Sequence, residues 1–96
     1  MKDMKIRYYI DQRTGFPHIY NHNVCEDEVE YVLLNPGEDR SGIKETRVAI
    51  GQTESGRYLR VIYVSERHRN SIFVITSYEL SGKPLAQLRK YAPLPS

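Results

Sequence analysis

Three apolar runs, residues 45–51, 58–65 and 71–80, follow one another with only short turns at 53–56 and 67–70 between them. Each is rich in β-branched and aromatic side chains, and each joint is polar, which predicts three consecutive antiparallel strands. No other feature constrains the fold as much. In the last run, strict alternation puts Ile72, Val74, Thr76, Tyr78 and Leu80 on one face and Phe73, Ile75, Ser77 and Glu79 on the other. Both faces begin apolar, so this strand is predicted to be central, with a polar far end where a site can open.

Upstream of the strands lies VCEDEVEYVLLNPG. Cys25 stands where a helix cap belongs, Glu28 follows three residues later as in a capping box, and Val24 and Val29 occupy the staple positions. Glu26, Asp27 and Glu28 sit in the first turn, where the helix dipole favours negative charge, and Val29, Val32 and Leu33 form an apolar stripe. The pattern predicts a helix ending near Leu34 at Asn35-Pro36-Gly37. This arrangement accounts for the acidic cluster without a metal.

The remaining segments complete the order. Residues 5–10 read as a first strand at a sheet edge, 11–15 as a turn, 16–22 as a helical turn or a loop, and 38–44 as a loop. Residues 84–91 fit a last helix, with Pro84 at its first position, Leu85, Leu88 and Ala92 inward, and Arg89 and Lys90 near its end. The expected architecture is α+β, a small antiparallel sheet with helices packed on one face. Ninety-six residues suit one domain, 1–96, with its core at about 5–91 and a short tail at 92–96.

No apolar run reaches the roughly 18 residues needed to cross a bilayer. With a single cysteine, Cys25, and no signal-like N-terminus, a cytoplasmic protein is expected. Charge is uneven: residues 1–56 hold seven Lys/Arg against ten Asp/Glu, a net of −3, and residues 57–96 hold seven against two, a net of +5. A polyanion would meet the second half, unless acidic and basic helices merely solvate their own outer faces.

Several chemistries are weak or absent. Ser81-Gly82-Lys83 resembles the end of a phosphate loop, but Pro84 follows and the upstream glycine is missing, so no nucleotide cradle is expected. Lys83 reads as the start of the last helix and as a positive charge at the rim of the sheet. His18 and His22, four apart, lack an evident third ligand for zinc; no cofactor is expected. His22 alone, just before a capped helix, is a candidate acid or base near neutral pH, or a polar lid over the chain. Arg47 shares its strand face with the small residues Ala49 and Gly51, which predicts an open surface beside it. Arg57 and Arg60, with Tyr63 and Tyr78, make a composition suited to holding phosphates and stacking bases in single-stranded RNA, and equally to a protein interface. RNA cleavage needs only a base, an acid and a cation, because the 2′-hydroxyl is the nucleophile.

Taken together, HIYNHNVCEDEVEYVLLNP, TRVAIGQTESGRYLRVIYV and IFVITSYELSGKPLAQLRKY resemble the BrnT-type toxins of bacterial toxin-antitoxin pairs and a related group of small uncharacterised proteins, over about residues 16–91. The markers are His22-Asn23-Val24 before the acidic helix, Arg47 in the strand ending Ile50-Gly51, the Gly56-Arg57 corner, and a last strand leading into a basic helix. The resemblance implies a RelE-like fold, an RNA-cleaving activity and a neutralising antitoxin partner. By position it implies His22 and Arg47 as site residues. Glu79 stands where that family carries an arginine, and is taken here as a partner to His22. The expected site is therefore His22, Arg47 and Glu79 for catalysis, with Arg57, Arg60, Tyr63, Tyr78 and Lys83 binding substrate. The alternative is a non-catalytic relative that binds a protein, a second copy of itself, or a small anion.

Overall fold

The computed structural model describes residues 5–81. Five strands form one sheet: β1 (Lys5–Tyr8), β2 (Glu38–Ser41), β3 (Arg47–Gln52), β4 (Tyr58–Glu66) and β5 (Ser71–Glu79), in the spatial order β1-β5-β4-β3-β2. One α-helix, α1 (Glu26–Leu34), and two 3-10 turns, His18–His22 and Arg67–Arg69, complete the described residues. The predicted last helix at 84–91, and Lys83 with it, lie outside the described residues.

The α+β class holds, and the sheet differs from the expectation in three respects. It is mixed, because β1 pairs with β5 in parallel, Ile6 against Ile72 and Tyr8 against Val74, while every other pairing is antiparallel. A strand's own residues specify that it pairs, not the direction of a partner some 65 positions away. Residues 38–41, expected as loop, form an edge strand against β3. Their composition, Glu-Asp-Arg-Ser, is that of a charged edge that discourages further pairing, and it carries none of the apolar signal by which strands are read.

A third difference lies inside β5. Ile62 pairs with Thr76 but Tyr63 pairs with Val74, so Ile75 is an extra residue in a β-bulge. The alternation flips there. Ile72 and Val74 share the helix-covered face with Ser77 and Glu79, not with Thr76 and Tyr78, and the burial of both Val74 and Ser77 reflects this. Tyr78 is thereby turned to the second face of the sheet, opposite Arg60.

The core lies between α1 and the first face. Val29 and Val32 of the helix pack with Ala49, Leu59, Val61, Tyr63 and Val74, together with Ile19 and Val24. Burying each valine contributes about 1.5–3 kcal/mol. The cap works as the sequence suggests: the Cys25 N–H donates to Glu28 Oε1 at 3.2 Å, and the staple pair Val24 and Val29 is buried. The surface beside Ala49 and Gly51, expected to be open, is closed by this helix. A methyl group at Gly51 would come within 3.2 Å of Val32 Cγ1 and 3.3 Å of the Asn35 carbonyl oxygen. The small residues there make room for α1, not for a ligand.

Candidate functional site

The turn after β1 is organised by Asp11. Its carboxylate accepts the Arg13 backbone N–H at 2.9 Å and the Asn21 amide at 2.8 Å, and its backbone carbonyl receives the Gly15 N–H at 2.7 Å. Gly15 turns the chain at a φ of 78°, a conformation suited to glycine. Asp11 is only 6% exposed, and the Arg13 N–H, followed by the Asn21 amide, holds its carboxyl below the usual carboxylate range. The turn delivers Pro17 to the start of the 3-10 segment, where the His18 N–H donates to the Tyr9 carbonyl. His18 Nδ1 then lies 3.6 Å from Asp11 Oδ2.

From this point a chain of rings crosses to the sheet. The His18 and His22 rings meet edge to face at 5.2 Å between centroids, and His22 meets Tyr78 in the same manner at 5.9 Å. Arg60 lies over the Tyr78 ring, 5.9 Å from its centroid, and donates from Nη1 to the Tyr78 hydroxyl at 3.2 Å. Its Nε is buried and has no partner among the described residues. An unpaired buried guanidinium N–H is costly unless an acceptor meets it, and an anionic oxygen is the strongest such acceptor. Nearby, Phe16 and Tyr20 stack on each other at 6.1 Å while remaining 59% and 43% exposed.

The other residues expected at a site form two separate clusters. Arg57 is held by acidic partners: Nη1 donates to both Glu28 oxygens at 2.9 and 2.8 Å and to the Asn23 carbonyl at 3.0 Å, and Nε donates to Glu79 at 3.2 Å. Burial opposes its charge, and the Glu28 and Glu79 pairs outweigh that, raising its pKa. The group pins the β3–β4 corner to the first turn of α1. Glu79 is bonded to Arg57 there, and no hydrogen bond joins it to His22 among the described residues.

Arg47 and Tyr63 form the other cluster around Asp39. Tyr63 donates to Asp39 Oδ2 at 2.6 Å and Arg47 Nε to Oδ1 at 3.0 Å. Burial, and then the Asp39 bond, pushes the Tyr63 phenol up, and the bonds with Tyr63 and Asp39 raise Arg47. Tyr63 lies three residues from Arg60 along β4, which is about 10 Å and the opposite face of the sheet. The expected catalytic trio thus has three different sets of partners: His22 meets Tyr78, Glu79 bonds Arg57, and Arg47 bonds Asp39. A cleft of about 530 Å³ adjoins Arg47, walled by Lys44, Ser65 and His68 but also by Glu45 and Glu66.

Sequence reasoning brought His22, Arg60 and Tyr78 forward but missed Asp11 and Asp39. An Asp-x-x-Thr-Gly turn just ahead of two histidines was the available signal for Asp11; for Asp39, placed in a supposed loop, there was none. Among the described residues no group of three or more His, Cys, Asp or Glu is arranged to hold a metal ion, and no helix is long and apolar enough to cross a membrane. No protein-family model, curated protein or solved structure matches the chain.

Proposed function

We propose that this chain is a small ribonuclease of the kind its resemblance to BrnT-type toxins implies, held in check by an antitoxin, with its site at His22, Tyr78 and Arg60. The observation that carries this reading is Arg60: a guanidinium bonded to Tyr78, whose ring in turn meets His22, and left with a buried N–H unpaired. RNA supplies its own nucleophile, the 2′-hydroxyl. His22, exposed at the end of its 3-10 turn, accepts that proton. Arg60 neutralises charge on the phosphorane as the 2′-oxygen attacks phosphorus and the bond to the 5′-oxygen breaks. Tyr78 keeps the guanidinium in place and presents a ring edge beside the ribose. Arg57 and Glu79 then serve the fold that holds this site, and Arg47 lies apart from it.

The test is cleavage of a mixed RNA by the purified protein with analysis of the ends produced. Fragments carrying 2′,3′-cyclic phosphate, lost by at least about 100-fold in a folded His22→Ala variant, support the proposal. No cleavage by the parent protein at low salt, where phosphate contacts are strongest, rejects it. In that event the exposed Phe16–Tyr20 stack, with Glu26 bonded to the Tyr20 hydroxyl, favours the second reading, a docking surface for a basic partner protein.

A further inference from the structure

A 2′-hydroxyl attack needs a second proton-transfer group, because the departing 5′-oxygen leaves as a poor alkoxide unless it is protonated. The Tyr78 hydroxyl is occupied as the acceptor that holds Arg60, the role assigned to it above. The ring adjoining His22 on its other side is His18, 5.2 Å away. It is backed by a buried carboxylate. Asp11 Oδ2 is 3.6 Å from His18 Nδ1, and Asn21 lies between them, its amide nitrogen 2.8 Å from Asp11 Oδ2 and 3.4 Å from His18 Nδ1. The T-shaped contact with Tyr9, at 6.0 Å, restrains the ring from the side. With Nδ1 turned to Asp11, Nε2 is the nitrogen left for a substrate.

Resting on the ribonuclease reading above, we infer that His18 is the general acid of the same site and that Asp11 is its positioning residue. The step balances without a cofactor. His22 takes the proton of the 2′-hydroxyl, the 2′-oxygen forms a bond to phosphorus, the bond to the 5′-oxygen breaks, and that oxygen takes the Nε2 proton of His18. The products are a 2′,3′-cyclic phosphate and a 5′-hydroxyl, and both rings return to their starting states by proton exchange with water. The substrate is accordingly RNA and not DNA, and the strand must be unpaired for its sugar to reach two adjacent imidazoles.

The experiment compares a short RNA with its analogue in which the 5′-leaving oxygen is sulfur, a leaving group that needs no proton. His18→Ala is expected to cut the ordinary RNA at least about 100-fold more slowly than the parent protein and the sulfur analogue at close to the parent rate. His22→Ala is expected to stay slow on both. Asp11→Asn should lose less than His18→Ala on the oxygen substrate and recover on sulfur as His18→Ala does, a pattern that general loosening of the fold would not produce. If Asp11→Asn does not fold, the His18→Ala comparison decides alone. Equal losses on oxygen and sulfur, or no loss on either, overturn the assignment of His18 while leaving the ribonuclease reading intact. Failure of the parent protein on both substrates removes that reading and this inference with it.

Discussion

Arg57 and Arg60 stand three residues apart in sequence and differ in nearly everything that matters. Arg57 meets two carboxylates and a carbonyl oxygen, joining the hairpin corner, α1 and the end of β5. Arg60 has one neutral hydroxyl and a ring face, with Nε unpaired. The first arrangement already balances the guanidinium charge with two carboxylates, so an added anion would meet like charge. The second leaves one donor open to an incoming acceptor. The contrast teaches that a count of arginines in a chain says little about where a polyanion binds; what counts is which of them already have partners.

The largest effect that would sharpen this contrast is on activity. Arg60→Ala is expected to lower RNA cleavage by about 100- to 1,000-fold, the cost of one transition-state donor, while the urea midpoint stays within experimental reach of the parent's. Comparable cleavage by the variant would break the contrast. Arg57→Ala should do the reverse. It leaves the partly buried Glu28 and the exposed Glu79 without their cation and is expected to lower unfolding free energy by about 2 kcal/mol, with the rate per folded molecule within about threefold of the parent, both read by chemical denaturation and active-fraction assay. Gly51→Ala comes next, at about 1 kcal/mol, because the added methyl meets the Asn35 carbonyl and Gly37 N–H, backbone groups that do not yield easily. It probes the seam on which the Arg57 staple depends and should leave Arg60 unaffected.

The smallest expected effect concerns pH. The Asp11 carboxyl is held below its usual range by the Arg13 N–H and the Asn21 amide, so around that range the folded protein binds fewer protons than the unfolded chain. Its stabilising contribution is present above the unfolded value of about 4 and is lost as pH falls through the depressed folded value. Glu66, lowered by Ser71 and Arg7, acts in the same direction. Urea midpoints followed from about pH 6 down to about pH 2 should therefore fall, and Asp11→Asn should make that fall shallower without abolishing it.

Much of the framework was legible in the chain because its signals are local. The capping box at Cys25 and Glu28, the staple at Val24 and Val29, and the three apolar runs all announce themselves within a few residues. What escaped depends on distant partners. The parallel pairing of β1, the charged strand at 38–41 and the bulge at Ile75 are decided by neighbours that no short window contains. The site followed the same division. His22, Arg60 and Tyr78 were nominated by residue type, but grouping them required the bulge, which turns Tyr78 toward Arg60; a strictly alternating strand would have left Tyr78 on the helix side. Asp11 escaped because turn aspartates are common and its burial comes from the tertiary fold. Arg47 and Glu79 were nominated on the same grounds as the others, and only their partners, Asp39 and Arg57, separate them from His22.

The most direct test of the central claim, that the under-partnered arginine and not the paired ones meets the nucleic acid, is binding of a single-stranded RNA made uncleavable by 2′-O-methyl groups. Affinities of the parent protein, Arg60→Ala and Arg47→Ala would be measured side by side by fluorescence anisotropy at one fixed salt concentration. The account predicts at least about tenfold weaker binding for Arg60→Ala, since a charge-assisted bond contributes about 1.5–3 kcal/mol, and less than about twofold change for Arg47→Ala, whose guanidinium stays with Asp39. The reverse order would contradict it and move the nucleic-acid site to the Asp39 end of the sheet.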